Sequence, residues 1–271
     1  GCGLVPVTVL DTVFRQQNTS RIALNAHAMK KGDTKLLYGD DFQFIDVNDV
    51  AEAVQSIQEI YQKAVKTYGL EQVQVLSPFR LKSDAGVKNL NQMLRELANP
   101  SLNKTMELSY GSTSFRFGDK VMQTKNTEIA SNGDIGFIAK VDKNNDEVLT
   151  VKFSDHRCKT YTIDELNQLE LAYATTIHKS QGSEYECVIL PILSSFYVML
   201  QRALIYTAIT RAKKKVILVG QKKALFMAIH KNSSVKRYTW LGKRIQDAYK
   251  QKTEGKKTAV VHTKMPEQLA L

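Results

Sequence analysis

The sequence has no long apolar segment and few cysteines, and each shortage excludes a class of protein. No apolar run approaches the roughly 18 residues that a membrane-spanning helix needs, so we expect no membrane partner. Residues 1–6 do not resemble a signal peptide. The 3 cysteines are odd in number and widely spaced, which predicts neither a disulfide framework nor a zinc site. We therefore expect a cytoplasmic protein without metal-ligating residues.

The charge is distributed unevenly over a composition typical of globular proteins. Of the 271 residues 43% are hydrophobic and 24% are charged, which excludes a disordered chain. The net charge is +11, but residues 201–271 contain 17 Lys+Arg and 3 Asp+Glu (+14), whereas residues 1–200 contain 21 and 24 (−3). A basic segment can bind polyanions by releasing counterions, although a solvated helix and a loose tail would have the same charge. We predict a basic, flexible tail at residues 251–271.

The order of helical and strand patterns predicts an α/β fold with an insertion. Residues 1–105 alternate β-branched runs with helical periodicity, which favours a parallel sheet flanked by helices. Residues 106–170 contain short strand patterns and a hairpin-type Asn-Gly turn, which predicts a small β-barrel. The α/β pattern returns in residues 171–250. There we predict buried strands at 187–193 and 216–219, with a largely helical run at 196–210 between them.

The most informative segment is a polar stretch, residues 173–186, that directly precedes a predicted core strand. Ligands of open α/β sheets bind at the loops beside strand ends. Thr176 and His178 can donate hydrogen bonds to phosphate oxygens, and Gly182 permits a close backbone approach. Glu184 only accepts hydrogen bonds when ionised, so it suits a sugar hydroxyl better than a phosphate. His178 and Glu184 could equally have structural roles.

Two arginines stand beside predicted core elements. Arg211 ends a mostly apolar segment, and Arg15 follows the first predicted strand. A guanidinium group is planar and permanently charged, and it can stabilise the charge that develops on a transferred phosphoryl group. Either arginine could instead form a surface ion pair.

Three segments in this order resemble motifs IV, V and VI of superfamily 1 helicases: residues 14–16, 176–184 and 206–211. The resemblance is closest to the RecD-like ATP-dependent DNA helicases, also called the exodeoxyribonuclease V alpha-subunit family, and covers roughly residues 4–250. Residues 75–78 with 89–91 resemble an extra motif that this family has between motifs IV and V. Residues 117–123 with 132–136 resemble its SH3-like insertion.

The resemblance implies a fold, a ligand and a set of site residues. The fold is the second RecA-like domain of a P-loop NTPase-type helicase, with a parallel sheet and an inserted SH3-like β-barrel. The activity is ATP-dependent 5′→3′ DNA unwinding in recombination or repair, with ATP and Mg²⁺ bound in a cleft between two RecA-like domains. The implied residues have three roles: arginine fingers (Arg15, Arg211), ribose contacts (Gly182, Glu184) and contacts to single-stranded DNA (Ser77, Thr176, His178).

One departure from the family concerns the phosphate-binding loop. The pattern Gly-x4-Gly-Lys-Ser/Thr is not present, and neither Gly-Lys pair, at 242–243 and 255–256, is followed by Ser or Thr. We therefore expect ATP and Mg²⁺ to be held mainly by an N-terminal RecA-like domain of the same protein, and the chain alone to be inactive. Two alternatives remain open, an ATP-independent nucleic-acid-binding module and an adaptor that binds a protein partner through the barrel.

Overall fold

The computed structural model describes residues 3–6, 20–81, 83–101, 106–232 and 240–261 as an α/β protein with an inserted β domain. The strand expected near residues 5–10 lies largely outside the described residues. The helices, in chain order, are α1 (Arg21–Lys31), α2 (Val50–Tyr68), α3 (Val87–Ala98), α4 (Arg202–Ile209), α5 (Lys222–His230) and α6 (Leu241–Val261). The strands are β1 (Phe42–Asp46), β2 (Val73–Ser77), β3 (Glu107–Tyr110), β4 (Thr113–Arg116), β5 (Lys120–Gln123), β6 (Ile135–Val141), β7 (Glu147–Phe153), β8 (Cys158–Thr162), β9 (Leu169–Leu171), β10 (Ala174–Thr176), β11 (Tyr185–Ile192) and β12 (Ala212–Gly220).

Five parallel strands form the main sheet, in the order β1-β12-β11-β2-β10. Strands β2 and β11 are buried along nearly their whole length, as expected for a parallel sheet covered on both faces. Helices α2 and α3 pack together, and α1 and α5 pack on α4. A Cβ atom on Gly220 would lie 1.8 Å from the carbonyl oxygen of Ile192, so the closely packed ends of β11 and β12 require glycine there. The predicted α/β class with a parallel sheet is confirmed.

The insertion is an antiparallel domain with a core of its own. Its strands form a five-stranded sheet in the order β8-β7-β6-β5-β9 and a separate β3-β4 hairpin. Phe115, Val151 and Tyr161 are buried in its core, and the Tyr161 hydroxyl donates to the side-chain oxygen of Gln123 at 2.7 Å. We refer to residues 107–171 as the SH3-like domain.

A buried charged cluster joins the SH3-like domain to the main sheet. Asp119 has no exposed surface, and its carboxylate accepts hydrogen bonds from Arg95 Nε at 3.0 Å, Asn99 Nδ2 at 2.8 Å and the Tyr173 hydroxyl at 2.8 Å. Arg95 Nη2 also lies 2.7 Å from the second carboxylate oxygen. These four residues, the Asp119 cluster, connect the end of α3 to the start of β5 and to the segment that follows β9.

The neighbouring Lys120 forms a second connection to the same sheet. Its side chain is completely buried, and Nζ donates to the carbonyl oxygens of Leu70 at 3.1 Å and Val73 at 3.0 Å. Burial lowers the pKa of this ammonium group to about 7. Strand β5 is therefore attached to the loop that precedes β2, at the amino end of the parallel sheet.

Two compact units are distinguished, residues 13–233 and residues 1–12 with 234–271. In the second unit, Lys243 Nζ lies 4.8 Å from the centre of the Trp240 ring. Helix α6 continues to Val261, so the boundary that we expected at residue 250 falls inside it. Lys and Gln, which favour helices, occupy residues 250–252. Among the described helices, none has the length and apolarity needed to span a membrane.

Candidate functional site

Residues 177–184 run from one end of the parallel sheet to the other, and we call them the connecting segment. The strand before it ends at Thr176, which pairs with Ser77, the last residue of β2. The strand after it begins at Tyr185, which pairs with Ala212, the first residue of β12. Because all these strands are parallel, the segment leaves their carboxyl ends and returns to their amino ends. It therefore connects the two ends of the sheet. We call the end formed by the carboxyl ends of the strands the carboxyl edge, and the end formed by their amino ends the amino edge.

At the carboxyl edge the connecting segment begins with a hydrogen-bonded turn. The Thr176 hydroxyl accepts from Lys179 N at 3.3 Å, and Ser180 N donates to Thr176 O at 3.2 Å. The buried Ser180 hydroxyl donates to Ile177 O at 2.8 Å. Thr176 is half-buried under this turn, whereas His178 is exposed. The turn therefore holds a threonine hydroxyl and presents an imidazole to the surface.

His178 lines a cleft between the connecting segment and α4. The cleft has a volume of about 190 Å³ and is also lined by Gln181 and Thr207. Polar groups from two elements thus converge beside the predicted single-strand contacts Thr176 and His178. Their contact with DNA stays a prediction.

Ser77 differs from its expected role as a surface contact. Its side chain has no exposed surface. The hydroxyl donates to Ala85 O at 2.8 Å and accepts from Phe79 N at 3.4 Å. The hydroxyl therefore stabilises the loop between β2 and α3. Its contact with DNA stays a prediction, and the side chain is buried in this structure.

At the amino edge Arg211 lies against the far end of the connecting segment. Its Nη1 donates to Ser183 O at 3.2 Å, and its Nε donates to Thr207 O in α4 at 3.2 Å. Its own carbonyl oxygen accepts from Tyr185 N at 2.9 Å. These bonds fix the guanidinium group between α4 and the connecting segment. The predicted motif VI arginine and the predicted ribose contacts are therefore brought to one place.

The predicted ribose contacts flank Ser183. Gly182 is exposed with φ +92°, a conformation that favours glycine although no atom lies within 4 Å of a Cβ built there. Glu184 Oε2 lies 3.5 Å from Lys213 Nζ, at the start of β12. A guanidinium group can bind phosphate and a carboxylate can accept hydrogen bonds from a sugar hydroxyl. Nucleotide binding by these residues stays a prediction.

A second cleft opens beside Glu184, between the amino edge and the SH3-like domain. It has a volume of about 300 Å³, and its lining includes Glu71, Asp134, Arg157, Ser183 and Glu184. Arg157 Nη2 lies 2.8 Å from Asp134 Oδ2 across the β6 and β8 ends of the domain. The SH3-like domain therefore forms one wall beside the candidate nucleotide residues.

The other predicted arginine finger, Arg15, lies outside the described residues. Whether Arg15 and Arg211 approach the same phosphate stays a prediction. No group of three or more His, Cys, Asp or Glu side chains that could hold a metal ion occurs among the residues described.

One charged arrangement at the carboxyl edge was not predicted from the sequence. Glu170 Oε1 lies 2.6 Å from Arg80 Nη2, and Glu170 Oε2 lies 3.0 Å from Lys179 Nζ. We call these three residues the Glu170 bridge. Arg80 and Glu170 are 90 positions apart in the sequence, which explains why no local sequence pattern indicates the bridge.

Two family models match the chain. A model described as a UvrD-like helicase C-terminal domain matches residues 171–219, which contain the connecting segment, α4 and Arg211. A model described as an ATP-dependent RecD-like DNA helicase SH3 domain matches residues 90–153.

Two curated relatives are similar over most of this chain. The ATP-dependent RecD2 DNA helicase of Deinococcus radiodurans is 33% identical over 222 residues, which are 81% of this chain and 29% of the relative. The RecBCD enzyme subunit RecD of Haemophilus influenzae is 30% identical over 213 residues, which are 77% of this chain and 30% of the relative. The chain thus spans less than a third of the length of these relatives. Among solved structures, a Bacteroides Pif1 bound to single-stranded DNA aligns with a TM-score of 0.43 at 15% identity, covering 76% of this chain and 50% of that one.

Proposed function

We propose that this chain, which contains a UvrD-like helicase C-terminal domain and a RecD-like helicase SH3 domain, is the C-terminal motor half of an ATP-dependent 5′→3′ DNA helicase. The observation that supports this most directly is the hydrogen bond from Arg211 to Ser183 O, 3.2 Å long, which brings the motif VI arginine beside the motif V residues. The polarity rests on the resemblance to the RecD-like family.

Arg211 is the residue that acts on the nucleotide in this proposal. Two carbonyl oxygens orient its guanidinium group, and this group stays charged at any physiological pH. It stabilises negative charge on the γ-phosphate, while Gly182 and Glu184 contact the ribose side. ATP with Mg²⁺ supplies the transferable phosphoryl group when bound, and an N-terminal RecA-like domain holds both. Arg15 is proposed as a second finger from its sequence position alone.

The connecting segment provides the link between ATP and DNA in this proposal. Its amino-edge end contacts Arg211, and its carboxyl-edge end carries Thr176 and His178. A shift of Ser183 when the cleft closes on ATP therefore moves the strand contacts at the other edge. Contacts of this kind hold the phosphate backbone and do not read bases.

The test of this function compares the chain alone with the chain joined to an N-terminal RecA-like domain. We expect no measurable ATPase from the chain alone. The joined protein should hydrolyse ATP faster with single-stranded DNA and unwind duplexes with a 5′ tail but not those with a 3′ tail.

Each contrary result has a distinct meaning. Mg²⁺-dependent turnover by the pure chain alone would contradict the division into halves. Unwinding from 3′ tails would contradict the polarity. DNA binding without turnover by the joined protein would instead favour an ATP-independent binding module.

His178→Ala should weaken binding of single-stranded DNA by about tenfold or more, because a hydrogen bond to a charged phosphate contributes about 1.5–3 kcal/mol. Fluorescence anisotropy of a labelled dT oligonucleotide at low salt measures this. The matched control is His27→Ala, an exposed histidine on α1, which should bind like the unmodified chain. If both variants lose binding equally, or if neither loses binding, His178 is not part of the surface that binds single-stranded DNA, which we call the strand surface.

A further inference from the structure

The carboxylate of Glu170 lies between two cations at the carboxyl edge of the sheet. Arg80 Nη2 is 2.6 Å from one of its oxygens, and Lys179 Nζ is 3.0 Å from the other. The side chains of Arg80, Glu170 and Lys179 are 61%, 35% and 32% exposed. Three charged groups therefore meet at a solvent-accessible position, and each oxygen of the carboxylate has its own cation.

A phosphodiester has the same features as this carboxylate. Both groups carry one negative charge shared by two terminal oxygens, and both accept hydrogen bonds from guanidinium and ammonium groups. Arg80 and Lys179 are thus spaced so that one anion with two oxygens can contact both. The bridge leaves these two cations with a net charge of only +1 once Glu170 is counted.

The position of the bridge relates it to the predicted strand surface. The backbone amide of Lys179 donates a hydrogen bond to the Thr176 hydroxyl. One small cavity is lined by Arg80, Glu170, Thr176 and Lys179. Arg80 and Glu170 also line a larger open cleft of about 330 Å³ beside α3. A DNA strand that contacts Thr176 therefore passes within reach of both cations.

The anion and the cations come from different domains. Arg80 and Lys179 belong to loops that follow β2 and β10 of the parallel sheet, whereas Glu170 is on β9 of the SH3-like domain, where it pairs with Met122 of β5. Occupation of the two cations by another anion would therefore release a contact between the SH3-like domain and the parallel sheet.

We infer that Arg80 and Lys179 form a two-cation site for one phosphodiester of single-stranded DNA, and that the Glu170 carboxylate fills this site until a strand displaces it. The inference rests on the proposed function in DNA binding. Partly exposed ion pairs are weak because solvent screens them, so a polyanion can displace Glu170. The contact of Glu170 in the SH3-like domain with Arg80 and Lys179 is therefore made only while no DNA strand occupies the two-cation site.

Displacement of a carboxylate has a signature in the salt dependence of binding. In the unmodified chain, the phosphate that binds this site releases a counterion from the DNA, but the displaced Glu170 carboxylate takes up a counterion. The site therefore adds little to the slope of log K against log salt. Without the carboxylate, each phosphate contact of single-stranded DNA adds about 0.7 to the slope of log K against log salt. Glu170→Gln should therefore bind more tightly and show a steeper slope.

The experiment measures anisotropy of a labelled dT12 oligonucleotide between low and moderate salt, using the 271-residue chain. Glu170→Gln should bind about threefold to tenfold more tightly at low salt, as expected for the loss of two weak competing pairs, with a slope steeper by about 0.7. Glu186→Gln, the matched control, removes one carboxylate from the surface pair with Lys214 and should bind within twofold of the unmodified chain. The double variant Glu170→Gln with Lys179→Ala should bind the oligonucleotide no more tightly than the unmodified chain.

The outcomes separate this inference from the proposed function. If the unmodified chain binds the oligonucleotide and Glu170→Gln binds equally or more weakly, the Glu170 role is overturned and DNA binding stands. The same holds if Glu186→Gln produces an equal gain, because the effect would then reflect net charge alone. If no variant binds at any salt concentration, both the site and the proposed strand surface are overturned. Thermal unfolding of each variant checks that it is folded.

Discussion

Arg211→Ala in the chain joined to its N-terminal RecA-like domain is expected to lower ATP turnover by about 10³ or more, the usual contribution of an arginine finger. Nucleotide binding should change much less, because the phosphates are held mainly by the other domain. The loss falls on kcat because the guanidinium group acts on charge that develops during phosphoryl transfer. Steady-state ATPase assays with single-stranded DNA, together with binding of a fluorescent nucleotide, measure the two effects separately.

Two further variants make the Arg211 test specific. Lys214→Ala removes a nearby cation on β12 that pairs with Glu186 at 2.9 Å, and it should keep near-normal turnover. Arg211→Lys keeps the charge but loses the planar fork that contacts Ser183 O and Thr207 O, so it should remain strongly impaired. Near-normal turnover in Arg211→Ala would exclude the finger role and leave Arg211 as a structural contact between α4 and the connecting segment.

Asp119→Ala should lower the free energy of unfolding by about 3 kcal/mol, because it removes the closest carboxylate partner of the buried Arg95, at 2.7 Å, and leaves only Glu107 at 3.8 Å. Asp119 is fully buried and accepts hydrogen bonds from Arg95, Asn99 and Tyr173. Urea unfolding followed by far-ultraviolet circular dichroism measures the change.

The control for Asp119 is Asp142→Ala, which removes a carboxylate from the exposed pair with Lys140 in the same domain. Exposed pairs contribute little to stability, so its unfolding midpoint should match that of the unmodified chain. A midpoint for Asp119→Ala equal to that of Asp142→Ala would mean that the Asp119 cluster does not hold the two domains together.

The fold class could be predicted because alternating helical and strand patterns are local properties of the sequence. The two family models, a UvrD-like helicase C-terminal domain and a RecD-like helicase SH3 domain, confirm the resemblance read from motif order. The extent of β12 was underestimated, since it begins at Ala212 and not near Val216. Lys213 and Lys214 are exposed there and conceal the strand pattern. The helical run expected at 196–210 is shorter, because residues 194–196 form a 3-10 turn and α4 begins only at Arg202.

The site was predicted less completely, because side-chain burial and long-range pairs depend on tertiary contacts. Gly182, Glu184 and Arg211 are close in sequence to one another or to a core strand, and the fold brings them together at the amino edge. Ser77 was expected at the surface, but the β2–α3 loop covers it. Asp119 stands between Gly118 and Lys120, two residues typical of exposed turns, and nothing local indicates that it is fully buried.

The pairing at both ends of the connecting segment limits which insertions and deletions the protein can tolerate there. Its two ends are fixed in register, at Thr176 by pairing with Ser77 and at Tyr185 by pairing with Ala212. A single inserted or deleted residue would shift one end against a strand whose neighbours do not move. The length of these eight residues is therefore constrained in addition to the identity of the site residues among them.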